Sequence, residues 1–360
     1  MNLRRLYDEF GQSPWLDNLR RDSIVDGSLN AAIERGVRGL TSNPTIFQKA
    51  ISSSTLYDEQ FSRLVSSGAS VEEAYWELVI SDITAACDTF SAVYESSRGT
   101  DGFVSVEVSP SLCHDSAGTV SAARDLHRRI DRPNVMIKIP ATDAGLSAIT
   151  EVIASGISVN VTLIFGLSRY RQVMEAHRLG IERLAATDPH HLAATASVAS
   201  FFISRVDNTV DPLLAASGLE AGRTAIAQAK IAYREFVQFA TATPWTTLAA
   251  KGAQEQRPLW ASTSTKNPAF SPTLYVDELI GPRTVNTLPD STLEAFAASG
   301  TLARTIDSGV DDAQSYIERV TDAGVDLESV AQQLEREGLA SFQTSFDDLL
   351  AALSAKRFGR

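Results

Sequence analysis

Eight short segments rich in apolar and β-branched residues alternate with longer segments of helical periodicity along a chain of 360 residues. This alternation argues for a parallel sheet with right-handed crossovers. Eight such units in this length predict an α/β protein, a (β/α)8 TIM barrel with additional C-terminal helices. The doubly wound open sheet is the rival, but neither G-x-G-x-x-G nor G-x-x-x-x-G-K-[ST] occurs in the chain. No repeat, linker or low-complexity block divides the sequence. Residues 1–360 are therefore expected to form one barrel domain, with the helical additions beginning at about residue 291.

The elements follow in order. Ser13 to Asp17 reads as a first strand ending at an acid. A helix from Ser28 to Arg35 is stopped by Gly36. Val37 to Thr41 is a second strand that runs into the polar turn Ser42-Asn43-Pro44-Thr45, where Pro44 keeps Asn43 extended. Residues 70 to 96 are helical, opened by a Ser70/Glu73 capping box. Phe103 to Val108 is the third strand, and a helix from about Ala117 to Ile130 leads to the fourth, Asn134 to Pro140. A helix from about 144 to 154, a strand from Ile157 to Ile164 and a helix from 168 to 186 follow. The sixth strand, Thr195 to Phe202, continues through Ile203 to Asp207. Helices then cover roughly 208–216 and 222–241. Pro258 to Thr263 and Thr284 to Pro289 are the last two strands. Beyond them helices are expected at 294–298, 312–320, 327–336 and 341–353.

Composition excludes several classes of function. Charged residues make up 21% and hydrophobic residues 44%, ordinary for a globular protein. A net charge of -12 argues against nucleic-acid partners, which need a basic surface, yet a few local cations could still bind a small anion. The apolar runs are too short for a membrane span, and the acids at Asp8 and Glu9 interrupt any leader-like core. Cys87 and Cys113 have neither C-x-x-C nor zinc spacing, which predicts a reduced, cytoplasmic protein. His190-His191 lack a third ligand at metal spacing, so no metal is expected. The oligomeric state is not legible, because pattern alone does not separate an apolar surface from core.

Chemistry is concentrated at the strand ends. Lys138 sits inside the apolar run Val135-Met136-Ile137-Lys138-Ile139-Pro140. Burying an ammonium is costly, and a neutral amine on a rigid strand can form a Schiff base with a carbonyl. The plain alternative is a snorkelling lysine or a structural ion pair. The other strand ends supply Asp17, Asn43, Glu107, Asn160 with Thr162, Ser200 with Arg205, and Ser262 with Lys266. A barrel gathers these over its C-terminal mouth. Together they suit a polyhydroxylated carbonyl compound that carries an anion. Glu107 could manage the loss of water during imine formation through a water held by Thr162, and Asp17 could take a hydroxyl proton. Asn43 and Asn160 could hold hydroxyls, and Arg205 and Lys266 could bind a phosphate. Each has a duller alternative: Asn43 in an Asx-turn, Ser200 and Ser262 as small residues at the core edge, Arg205 paired with Asp207 or Asp211.

These residues resemble the transaldolase family of the class I aldolases. The resemblance rests on Trp15-Leu16-Asp17, Thr41-Ser42-Asn43-Pro44-Thr45, Val106-Glu107-Val108, Ile137-Lys138-Ile139-Pro140, Asn160-Val161-Thr162-Leu163, Ser200 through Arg205 and Trp260-Ala261-Ser262, in the family's order. The Trp-Ala-Ser-Thr and Lys-Asn-Pro runs look like the long branch found in actinobacteria and similar bacteria. The resemblance implies a metal-free, cofactor-free barrel. It would move a dihydroxyacetone unit from a ketose phosphate (sedoheptulose 7-phosphate, fructose 6-phosphate) to an aldose phosphate (glyceraldehyde 3-phosphate, erythrose 4-phosphate), as in the non-oxidative pentose phosphate pathway. It implies Lys138 as the Schiff-base lysine, Asp17 and Glu107 as the acid/base carboxylates and Thr162 as the water-holding residue. Asn43, Asn160 and Ser200 would face substrate, and Arg205 and Ser262 its phosphate. One place departs from the better-known pattern: Ser264 stands where an arginine is expected, and the first cation is Lys266. Two rival readings are a related sugar-phosphate aldolase and a catalytically silent sugar-phosphate-binding barrel.

Overall fold

A computed structural model describes residues 2–358. Its eight strands form a closed, all-parallel ring in sequence order, each hydrogen-bonded to the next and the eighth to the first. This is the predicted (β/α)8 barrel. Helix α1 (Asn2–Phe10) precedes β1 (Gln12–Leu16). Helices α2 (Arg21–Val25) and α3 (Ser28–Arg35) lead to β2 (Leu40–Thr41), and α4 (Pro44–Ser53), α5 (Asp58–Ser66) and α6 (Val71–Ser96) to β3 (Val104–Glu107). Then come α7 (Ser116–Ile130), β4 (Val135–Pro140), α8 (Asp143–Ala154), β5 (Val159–Ile164), α9 (Leu167–Thr187) and β6 (Ser197–Phe202). Helices α10 (Ser204–Val210), α11 (Thr224–Thr241) and α12 (Thr243–Ala249) precede β7 (Gln256–Ala261), and α13 (Leu274–Asp277) precedes β8 (Thr284–Leu288). The chain closes with α14 (Asp290–Ser299), α15 (Val310–Asp322) and α16 (Leu327–Phe358). Among the described residues no helix is long and apolar enough to cross a membrane.

Local chemistry explains where the helices start and stop. The Ser70 hydroxyl accepts the Glu73 amide at 3.1 Å, and the Glu73 carboxylate accepts the Ser70 amide at 2.8 Å, which completes the expected capping box of α6. Gly36 ends α3 with a φ of +119°, a value that suits a residue without a Cβ. Thr142 caps α8 through the Gly145 amide at 3.0 Å, so the lysine strand passes directly into its helix.

The structure departs from the sequence reading in three ways. Helices α1, α2, α4, α5, α12 and α13 are additional. Residues 204–210 are helical rather than a continuation of β6, which puts Arg205 in the first turn of α10. The two helices expected at 327–336 and 341–353 are one helix of 32 residues that runs through Gly338.

Register decides which side chains meet. Glu107 pairs with Lys138, Lys138 with Asn160, and Pro140 with Thr162. Side chains two apart on a strand share a face. Ser105 and Glu107, Lys138, Asn160 and Thr162 therefore line the barrel interior in adjacent columns. Between β5 and β6 the register slips at Val161/Ile164, and Leu163 there takes a φ of +60°. That bulge lies one residue beyond Thr162.

Candidate active site

Lys138 is 4% exposed, and its ammonium donates to the Ser42 carbonyl at 3.2 Å. The nearest Glu107 oxygen is 3.4 Å away, close enough for charge attraction but without hydrogen-bond alignment. Burial pushes the Glu107 carboxyl upward, against the pull of Lys138. A carboxylate with raised proton affinity is a good acceptor for a proton leaving an adjacent ammonium. The Thr162 hydroxyl is also buried with no protein partner among the described residues. Lysine, acid and hydroxyl thus stand on three consecutive strands with hydrogen-bonding capacity to spare.

Asp17 immediately follows β1. Its backbone amide donates to the Leu288 carbonyl at 2.8 Å, so the β1–β8 pairing fixes its place. Thr41 donates to its carboxylate at 2.7 Å and lies 2.7 Å from the Thr287 hydroxyl. A hydroxyl has one proton to give, so when Thr41 donates to Asp17, Thr287 donates to Thr41. Burial raises the Asp17 proton affinity, while Lys138, the Thr41 hydrogen bond and Arg205 lower it. Its side chain is half-buried and lines the cavity described next.

A cavity of about 380 Å³ opens over these groups, at the lower end of the roughly 300–1,000 Å³ usual for small-molecule sites. It is lined by Asp17, Asn43, Lys138, Thr162, Ser200, Arg205, Ser262 and Lys266. Of the seven strand ends expected to converge, six reach this cavity, and the β8 end joins them through Thr287 and Pro289. Glu107 and Asn160 are the two expected site residues outside the lining. Glu107 stands behind Lys138. Asn160 lies fully buried below the floor, its amide donating to Ser105 at 3.0 Å and accepting from Ser200 at 2.7 Å. Asn160 therefore orients Ser200. Asn43 is extended, as Pro44 requires, and its side-chain oxygen caps α4 through the Ile46 amide at 2.9 Å. Asn43 thus both caps α4 and lines the cavity.

The cations stand at the rim. Arg205 has no carboxylate within 4.0 Å among the described residues, so it does not pair with Asp207. Lys266 is exposed and donates to Ser264 at 2.9 Å. Ser262 follows β7 with a φ of +56° and meets the Ser204 hydroxyl at 3.0 Å. Lys49, on α4, is a third cation lining the cavity that sequence reasoning missed. Its signal was available: Asn43 as cap and Pro44 at the first helical position announce a helix that carries residue 49 toward the mouth. Thr45, Phe202, Ser341 and Phe342 also line the cavity unforeseen, the last two from α16. A larger cavity of about 740 Å³ lies among the N-terminal strand ends, but its Arg257 and Arg283 are paired with Asp101 and Glu255. Free cations distinguish the C-terminal mouth.

Asp207 has a separate role. It is fully buried and accepts the Ala225 amide at the start of α11 at 2.8 Å. Burial pushes its carboxyl up to about 7 from an ordinary 3.8. Between those values the unfolded chain has lost this proton and the folded chain keeps it. Stability therefore falls as pH rises through that window and levels off above it. Asp207→Asn is expected to gain in melting temperature over the parent between pH 5 and pH 8, as followed by calorimetry. A gap that does not change with pH would contradict the assignment.

A sequence model of the transaldolase/fructose-6-phosphate aldolase family matches residues 14–353. The chain belongs to this family. It is 47% identical to "Transaldolase 1" of Streptomyces avermitilis, with 100% of this chain and 96% of that protein covered. It is 48% identical to a transaldolase of Frankia alni over 97% of this chain and 96% of that one. With "Transaldolase 2" of Nostoc it shares 44%, over 97% and 96%. The family resemblance read from strand-end motifs is borne out along nearly the whole chain.

Proposed function

We propose that the chain is a transaldolase that moves a dihydroxyacetone unit between sugar phosphates through an imine on Lys138. The observation that carries this reading is the buried Lys138–Glu107 pair at 3.4 Å, opening into a cavity with unpaired cations at its rim. Binding alone has no use for a desolvated lysine beside a carboxylate. A reaction that begins with proton transfer from ammonium to carboxylate has.

The steps balance with the side chains present. Glu107 takes a proton from Lys138, and the free amine adds to the ketone carbon of the donor. Glu107 returns the proton to the resulting hydroxyl, which leaves as water and gives an iminium; Thr162 holds the water on the path. Asp17 takes the proton of the hydroxyl on the far carbon of the bond to be broken, the carbon that departs as the aldehyde. That bond cleaves, its electrons flow into the iminium, an aldose phosphate departs, and an enamine remains on Lys138. An acceptor aldose phosphate then reverses these steps, with Asp17 giving its proton back. Asn43 and Ser200 hold donor hydroxyls. Arg205, Ser262, Lys266 and Lys49 face the phosphate, Arg205 with its planar fork and the lysines as point charges.

The test compares product formation from fructose 6-phosphate with and without erythrose 4-phosphate or glyceraldehyde 3-phosphate. Sugar phosphate exchange that requires the acceptor is the expected result. Free dihydroxyacetone formed equally well without acceptor would make the protein an aldolase instead. No turnover with any pair would make it a binding barrel.

A further inference from the structure

Gly338 lies in the interior of α16, where glycine weakens a helix, and no turn or break there requires it. The surroundings supply the reason. A Cβ at this position would stand 2.9 Å from one terminal methyl of Leu163 and 3.5 Å from the other, and 3.6 Å from Nη1 of Arg205. The Leu163 methyls could turn aside only within closely packed core. Leu163 is fully buried, and it is the bulge residue of β5, held at a φ of +60° one position beyond Thr162. The bare backbone at 338 is thus what lets α16 settle on the bulge.

The same contact bears on Arg205. Its guanidinium has no ion pair within 4.0 Å among the described residues, and its nearest aromatic face, Phe202, is 5.5 Å from the guanidinium carbon. Its Nη1 also lies against the helix at Gly338, and the charges of Asp17 and of Glu337, beside Gly338, act on it. One turn further along, Ser341 and Phe342 line the cavity, and Ser345 meets Thr45 of α4 at 2.8 Å. The helix is therefore anchored at the mouth on the C-terminal side of residue 338.

We propose that Gly338 is a positioning residue: by admitting α16 onto the Leu163 bulge, it makes the helix a wall that aims Arg205 into the cavity at the substrate phosphate. The phosphate grip of the barrel is then set in part from the C-terminal helix. This inference rests on the sugar-phosphate reading above, and its test separates the two by measuring inorganic phosphate binding independently of turnover.

In Gly338→Ala, the affinity for inorganic phosphate, followed by calorimetry at low ionic strength, is expected to fall about fivefold or more. KM for fructose 6-phosphate should rise by a similar factor, with kcat within about twofold. Arg205→Gln should then cost far less in the Gly338→Ala background than in the parent, because the two changes act on one contact. If Gly338→Ala does not fold, Leu163→Ala with Gly338→Leu carries the same test: it refills the space behind the bulge while pressing methyl groups on Arg205. Weakened phosphate binding without any turnover in the parent supports the positioning role while defeating the transaldolase reading. A parent that does not bind phosphate, equal affinity in parent and variant, or additive losses with Arg205→Gln would overturn the proposal.

Discussion

Lys138→Met is expected to lose turnover by at least ~10⁴-fold, because the step it removes is the covalent one on which every later step depends. Methionine keeps the length and apolar stem of the side chain and removes the amine, so the packing of β4 against β3 and β5 is retained. Breaking a buried ion pair usually destabilises a protein, since the remaining charge is left unpaired. Here the remaining group is Glu107, whose carboxyl is already pushed upward by burial and loses its main opposing influence when Lys138 goes. It can take a proton in place of an unpaired charge, so the variant should remain folded. The direct readout is borohydride reduction in the presence of fructose 6-phosphate, followed by peptide mass spectrometry. The parent should carry a reduced adduct on Lys138, and the variant none. An adduct on Lys49 or Lys266, or undiminished turnover, would remove Lys138 from its assigned place.

Asp17→Asn should separate imine formation from bond cleavage. Asparagine can still accept the Thr41 hydrogen bond through its amide oxygen, so the Thr287–Thr41 chain that orients residue 17 is kept. It cannot take a proton. Donor should therefore still be trapped on Lys138 by borohydride, while sugar exchange falls by roughly 10²–10⁴-fold, the span typical of a positioned acid or base. If trapping is lost together with exchange, Asp17 acts on the imine rather than on the bond. If exchange is unimpaired, some other group takes the hydroxyl proton.

Much of the site was legible because polar residues stand out in buried strands. Lys138 inside Val135–Pro140, Glu107 after Val106, and Asn160 and Thr162 within a β-branched run are anomalies that a strand pattern exposes. Ring closure in sequence order then brings them together without further information. The connections were harder. Helix α4 is short and carries Thr45 and Ile46 in its first turn, residues that argue weakly for helix, so Lys49 went unseen. The run Phe201-Phe202-Ile203 continues the β pattern, so the sequence alone places Arg205 on an extended strand. The turn into α10 depends on Ile203 taking a φ of -99° and a ψ of -78°, which that pattern does not announce. Gly338 falls in the gap between the helices expected at 327–336 and 341–353. Its meaning depends on Leu163, 175 positions earlier in the chain, a distance over which local propensity carries no information.

The seam between β1 and β8 gives the site an order of assembly. Its five residue pairs, from Gln12 with Thr284 to Leu16 with Leu288, join positions about as far apart in the chain as any in the barrel. Loop-closure entropy makes such a contact late to form, and until it forms β1 and β8 remain open edges. Glu107 and Lys138 lie on neighbouring strands joined by a single helical crossover, and they can meet without the seam. Asp17 cannot take its place in the same way, since its amide is anchored on Leu288. On the proposed mechanism, a nascent barrel thus acquires its carbonyl-capturing half first and its bond-breaking carboxylate last, and completion of the ring and completion of the catalyst are one event.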